Sequence, residues 1–363
     1  MHQNLEGSFL REQIIEIVEN LYDIGTVTEV QEIFGGFTNR SFRIQVLREG
    51  CKKTYLARKY KENRAVEEVL FEHAIINYTI QNGLTIGAGI VKNRQGSTYV
   101  QPPNINCIFA IYEYLKGEDK YTWNTHDLSD TEYQNAARVL AVFHNAVRNF
   151  DPMGLQRKEP PILKLWPTFP EKFRKLAKQN RPGKLVPYFR EQLPSILDII
   201  TINPFGMAEA AAMLVIPTHY DYHPGNLKWA GEEVVGVFDF DWTKIDLRLF
   251  DLCMALIYFC SSWVGNCNGE LRLGRCGIFL RSYQHRLKEL NGLESVSPAE
   301  REAFPKMLAI ANIYLLYWGV STFLEREEAC DDEYQTYLKH SVRLMRWIST
   351  HSSIIAETMA NAL

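Results

Sequence analysis

Residues 219 to 228 read His-Tyr-Asp-Tyr-His-Pro-Gly-Asn-Leu-Lys, between two apolar runs, Met213 to Pro217 and Val234 to Phe238. The second run ends in Asp239-Phe240-Asp241. A polar segment holding Pro and Gly between strand-like runs is a loop. It presents the Asp221 carboxylate and, five residues later, the Asn226 amide. The next strand delivers a second carboxylate, Asp239, at its end. Oxygen donors at strand ends suit a hard divalent cation such as Mg²⁺, which takes few ligands from protein and the rest from phosphate and water. Alone, His219 with Asp221 reads as a polar turn and Asp239 as a strand-end cap. Spacing and strand context together give them weight.

The flanking sequence predicts two different layers. An amphipathic helix over Ser8 to Leu21 places Leu10, Ile14, Ile17, Val18 and Leu21 on one face. Strand-like runs follow at Val27 to Phe34, Arg40 to Leu47 and Lys53 to Tyr60, joined by Gly35-Gly36-Phe37-Thr38-Asn39 and Arg48-Glu49-Gly50. A helix from Arg64 to Gln81 stops at Asn82-Gly83, and strands are expected at Thr98 to Gln101 and Cys107 to Tyr112. Beyond Leu115-Lys116-Gly117 helical patterns dominate, over Ser129 to Phe150, Phe169 to Gln179, Val186 to Ile202 and from Ser297 to the end. One β island, Met213 to Asp239, interrupts them, and Glu159 to Pro170 reads as a long ordered loop or insertion. The expectation is α+β, with a sheet-bearing part over 1–114 and a mostly helical part over 115–363.

Composition narrows the partners. The 363 residues carry a net charge of −3, which lacks the polycationic signature of a nucleic-acid or anionic-membrane binder. The most apolar stretch, Leu249 to Trp263, contains Asp251 and falls short of the about 20 residues that span a bilayer. Seven scattered cysteines without a C-x-x-C pair, and no signal-like N-terminus, point to a reducing, cytoplasmic setting. Cys253 and Cys260 read as buried thiols rather than metal ligands. A small-molecule partner fits, and oligomeric state is left open.

The order His-x-Asp-x-x-x-x-Asn, apolar strand, Asp-Phe-Asp is that of the catalytic and metal-binding residues of protein kinases. The local spelling, His219-x-Asp221-x-His223-Pro224-x-Asn226 and then Phe238-Asp239-Phe240-Asp241, differs from theirs. It resembles the aminoglycoside phosphotransferase and choline kinase-like superfamily, which includes a type of homoserine kinase and the methylthioribose and fructosamine kinases. The resemblance implies a protein kinase-like bilobal fold, ATP and Mg²⁺ as cofactors, and transfer of the γ-phosphate to the hydroxyl of a small acceptor. It implies Asp221 as base, Asn226 and Asp239 as Mg²⁺ ligands, and His219 as a brace. Asp241 would touch metal or acceptor, and Asp251 would hydrogen-bond the catalytic loop from a helix start. One departure stands out: the position of Tyr220 is often Gly in the family.

The first half supplies matching expectations. Gly36-Phe37-Thr38-Asn39-Arg40-Ser41-Phe42 resembles the family's G-x-[ST]-N-x-x-[FY] pattern, which puts Gly35, Gly36, Thr38 and Asn39 near the phosphates. Of Arg58 and Lys59 only one can face a ligand, since strand neighbours alternate, and the family spelling favours Arg58. Glu72, ahead of Glu67 and Glu68, is the expected acid partner. Glu113 to Leu115 resembles the hinge that meets adenine through backbone groups. His144 reads as a structural histidine.

The late helices carry Tyr258, Phe259, Trp263, Tyr314, Tyr317, Trp318 and Phe323, which read as helix–helix core or as a cage for an ammonium group. The N-terminal helix and the aromatic C-terminal helices look most like the homoserine kinase-like branch. Two alternatives stay open: a kinase-like binding protein without catalysis, and a protein kinase. The presence of Asp221, Asn226 and Asp239 argues against the first. The helix-rich second half, without an A-P-E-like segment, argues against the second.

Overall fold

Strand β2 (Arg40–Arg48) buries Phe42, Ile44 and Val46 and leaves the intervening side chains only partly covered, the period of two that a one-sided sheet requires. A computed structural model describes residues 2–33, 39–103, 106–125 and 127–363, with side chains from Leu10 onward. The chain divides into two compact units. The first comprises Met1–Gly117 with Asp151–Lys158 and Val235–Asp241; the second comprises Glu118–Phe150, Glu159–Val234 and Trp242–Leu363. The first break in the chain falls after Gly117, where a single boundary at 114/115 was expected, and two later segments group with the first unit.

The first unit holds α1 (His2–Leu21), β1 (Thr26–Ile33), β2, β3 (Cys51–Lys59), α2 (Val66–Gln81), β4 (Ile90–Val91) and β5 (Phe109–Glu113). Its sheet is antiparallel in the order β1-β2-β3-β5-β4. Leu10, Ile14 and Val18 of α1 belong to the same core as Phe42, Ile44 and Val46. The strand expected at Thr98 to Gln101 is reduced to a bridge between Val100 and Phe109. Pro102 and Pro103 follow at once and cannot donate to a ladder.

The second unit holds α3 (Asp130–Val147), α4 (Ile162–Leu165), α5 (Phe169–Ala177), α6 (Leu185–Ile202), α7 (Met207–Ala210), β6 (Val215–Thr218) and β7 (Leu227–Ala230). Strand β8 (Glu233–Val237) then carries the chain into the first unit. Back in the second follow β9 (Lys244–Leu247), α8 (Arg248–Cys260), α9 (Leu273–Leu290), α10 (Pro298–Glu325), α11 (Asp331–Thr350) and α12 (Ser352–Ala362). Ser129 and Ser297 each accept from the third helical residue's N–H, and Glu132 and Glu300 return the bond, so α3 and α10 start on capping boxes. The Pro-rich stretch is ordered: Pro161 precedes α4, and Pro167 and Pro170 sit in the first turns of the helices they enter. Helix α10 is long and apolar enough to cross a membrane. Most of that stretch is buried, Phe304, Leu308, Ile313 and Leu316 included, as in the central helix of a packed bundle.

Candidate active site

In the second unit, β6 pairs antiparallel with β9 from Val215↔Leu247 to Thr218↔Lys244, and the loop 219–226 leaves the end of β6. Its anchor is Asp251, fully buried in the first turn of α8. The two Asp251 oxygens accept the backbone N–H groups of His219 (2.9 Å) and Tyr220 (2.7 Å). His144 of α3 touches the same carboxylate through Nε2 at 2.9 Å and Tyr283 through Nδ1 at 2.7 Å. Burial, the largest influence, pushes Asp251 upward, but these partners hold it below the usual carboxylate range. His144 is thus the structural histidine expected, and it acts as a second support of the loop. The His219 ring is buried edge-on to Phe143 and Tyr222. Tyr222 donates to the carbonyl of Ala136 at 2.7 Å, which ties the loop to α3 once more.

Held this way, the loop presents Asp221 half-buried with donors around it. Asn226 ends a short 3₁₀ turn, and its Nδ2 donates to the Asp221 carbonyl at 2.8 Å and to Oδ2 at 3.3 Å. The five-residue spacing read in the sequence thus corresponds to a hydrogen-bonded pair. His223 Nδ1 accepts from Gly225 N–H at 3.1 Å, which leaves the ring proton on Nε2, 3.7 Å from Asp221 Oδ2. Burial lowers the His223 pKa to about 3, so this ring is neutral. Burial and then the charge of nearby Asp221 push the Tyr258 hydroxyl of α8 well above its usual range, so this phenol is neutral. The rings of Tyr258, Trp263 and Tyr337 stand edge-on to Trp123, centroids 6.4, 5.2 and 4.6 Å away, and all four are only partly buried. Tyr220 carries φ 68°, unusual for a bulky residue. Its hydroxyl donates to buried Asp246 at 3.0 Å, and the Lys244 ammonium lies 3.8 Å from its ring centroid.

The first unit gathers a second set. Arg58 is buried, with Nη1 3.2 Å from Asp239 Oδ1 and 3.5 Å from Glu72 Oε1. Burial opposes the charge on Arg58, but Asp239, Tyr112 and Glu72 hold it protonated. Among the described residues its Nε has no hydrogen-bond partner, a spare donor that suits an anion. Lys59 turns the other way, toward Cys107, as strand alternation requires. Glu72 is buried; Glu67 is exposed, and Glu68 pairs with Arg64 at 3.6 Å. Asp239 has φ 65°, a second left-handed non-glycine residue among the expected site positions. Asp241 Oδ2 accepts from Asn39 Nδ2 at 2.9 Å, while Asp241 Oδ1 is buried without a partner among the described residues. A carboxylate beside a half-exposed Asp239 and an unmatched buried oxygen form a donor set that fits a hard divalent cation.

Gly35, Gly36 and Thr38 lie outside the described residues. The N–H of Glu113 is already donated to Gly89 at 2.7 Å, and its side chain is exposed toward Lys53, 4.0 Å away. Leu115 follows, half-buried, just past the end of β5. Tyr258 was named in the sequence only as one of several aromatic residues, and His223 only as a motif letter. Tyr258 comes from α8, and no local pattern announces that it feels the Asp221 charge.

A profile of the phosphotransferase enzyme family matches residues 29–290. The chain is 22% identical to a homoserine kinase of Phenylobacterium zucineum over 284 residues, 78% of this chain and 77% of that one. It is 22% identical to a homoserine kinase of Bradyrhizobium sp. (strain ORS 278) over 296 residues, 81% of this chain and 80% of that one. Among solved structures, a microcompartment-associated aminopropanol kinase superposes with a TM-score of 0.66 at 14% identity, covering 95% of this chain and 98% of the other. Choline kinase of Cryptosporidium parvum gives 0.63 at 16% identity, covering 96% and 97%. These likenesses establish the α+β, protein kinase-like fold.

Proposed function

The chain belongs to the phosphotransferase enzyme family, whose members act on hydroxyl acceptors, and from that premise we propose that it transfers the γ-phosphate of ATP to the hydroxyl of a small amine-bearing alcohol, an amino alcohol or hydroxy amino acid. The observation that carries the reading is the braced loop: Asp221, held by the Asn226 amide and, through its backbone neighbours, Asp251. A carboxylate so oriented takes the proton of an attacking hydroxyl. Arg58, with its spare donor, receives phosphate oxygens, and Glu72 keeps it in place. Asp239 is a proposed ligand of Mg²⁺, which when bound neutralises phosphate charge. The partly exposed rings of Trp123, Tyr258, Trp263 and Tyr337 near the base favour an ammonium group in the acceptor. The similarity to homoserine kinases supports the same class.

The test is ATP consumption with Mg²⁺ across amino alcohols, hydroxy amino acids, sugars and aminoglycosides. Turnover is expected with the first two classes. Asp221→Ala should lose on the order of 10²–10⁴-fold in rate and keep nucleotide affinity. A fully active Asp221→Ala protein would overturn the assignment. Flat consumption with ATP still bound would favour a kinase-like binding protein.

A further inference from the structure

We propose that Tyr60 and Tyr112 are positioning residues for nucleotide recognition: their hydroxyls fix Glu72, and Glu72 in turn aims Arg58. The proposal rests on the reading that Arg58 contacts the phosphates. Glu72 is 1% exposed, and its cation stands 3.5 Å away and is shared with Asp239. One distant ion pair leaves most of a buried carboxylate's lone pairs unmet. Tyr60 donates to Oε2 at 3.0 Å and Tyr112 to Oε1 at 3.2 Å, so each oxygen has its own phenol. The two hydroxyl oxygens lie 2.5 Å apart. Behind them His73 reaches Tyr60 at 3.2 Å and Tyr112 at 3.0 Å through Nε2, and Thr98 at 2.9 Å through Nδ1. With burial holding His73 neutral, Nε2–H donates to the phenols while Nδ1 accepts from Thr98.

The two phenols come from different elements. Tyr112 lies on β5, and Tyr60 just follows β3, its N–H donating to Ile108 at 2.9 Å. Tyr112 also places its ring 5.5 Å from the Arg58 guanidinium. Packing alone would be met by phenylalanine at both positions. The buried hydroxyls and the imidazole instead converge on Glu72, where they set the carboxylate's orientation. Among the described residues Arg58 Nε has no partner, so the direction of the guanidinium depends on that carboxylate and on Asp239.

The experiment is calorimetric titration of the full chain with Mg²⁺ and a non-hydrolysable ATP analogue, which needs no acceptor. Tyr60→Phe and Tyr112→Phe should each weaken binding by about three- to tenfold, and the double variant by more. In an Arg58→Met background, itself weakened, Tyr60→Phe should add nothing, because the cation it positions is gone. Unchanged affinity in both tyrosine variants, with Arg58→Met weakened, overturns the proposal and leaves the Arg58 reading standing. Unchanged affinity in Arg58→Met overturns that reading and the proposal with it. Should the double variant fail to fold, the single variants decide: a lowered melting temperature with unaltered affinity marks a merely structural role and overturns the positioning role.

Discussion

Asp246 is buried at the end of β9 and, among the described residues, has only neutral donors at bonding distance: the Tyr220 hydroxyl at 3.0 Å, the Ile162 N–H at 2.7 Å and the Leu247 N–H at 2.8 Å. Burial raises its pKa from 3.8 to about 6, with Lys244 pulling the other way. The native state therefore binds more protons than the unfolded state between those values. This contribution to stability is fully present below 3.8 and is lost as pH rises to about 6. The displacement corresponds to about 3 kcal/mol. Asp246→Asn removes the titration, so urea unfolding at pH 4.5 and 7.5 should show wild type losing about 2 kcal/mol relative to the variant over that interval. A difference that does not move with pH would show that Asp246 is solvated in the native state. At this scale spacing within one segment tied Asp221 to Asn226, while the family resemblance pointed to Asp251. It hid Tyr60 and Tyr112, whose hydroxyls meet across 52 residues of chain. Side-chain bonds across such separations follow from the fold and not from a local pattern.

Helices were legible wherever periodicity and caps agreed. Helices α3 and α10 begin beside the serines their capping boxes use, and α6 and α5 start within a residue of expectation. Strand β4 was missed, since two residues carry no period. Also hidden was the cap of α6. Lys184, at its start, offers no side-chain acceptor. Asp331, the first residue of α11, instead accepts the N–H groups of Lys184 at 2.7 Å and Leu185 at 3.1 Å. Gly183 permits this approach: its φ is 131°, and a Cβ there would strike the Asp331 carboxylate. Gly183→Ala is therefore expected to cost about 2 kcal/mol or more, through strain and displacement of the cap together. Asp331→Ala should cost about 1 kcal/mol, and the double variant less than the sum, because both act on one contact. Urea midpoints decide it, and a Gly183→Ala protein as stable as wild type would mean that α6 does not depend on this cap.

At the scale of the whole chain, the change of character near residue 115 was readable, because strand and helix periods differ. The return of 151–158 and 235–241 to the first unit was not, because long-range hydrogen bonds define it. Val237 donates to the carbonyl of Ile86 at 3.0 Å, and Gly87 bridges Val237 in parallel. The Asp241 carbonyl accepts from Arg64 at 2.8 Å and from Arg157, while the Lys158 N–H donates to Glu68 at 3.1 Å. Asp239 is thus carried by the sheet-bearing unit although it follows the loop 219–226 in sequence. Units bound in this way open as units. Ile44→Ala, a large-to-small change in the first unit's core, should cost about 2–5 kcal/mol there. In hydrogen exchange the amides of 235–241 should then accelerate together with β2 and β3, while those of α8 and α9 keep their protection. Amides of 235–241 that follow α8 instead would place Asp239 energetically with the second unit. The Arg58–Asp239 pair would then link two separately opening parts, and loosening the sheet would leave the second carboxylate of the motif undisturbed.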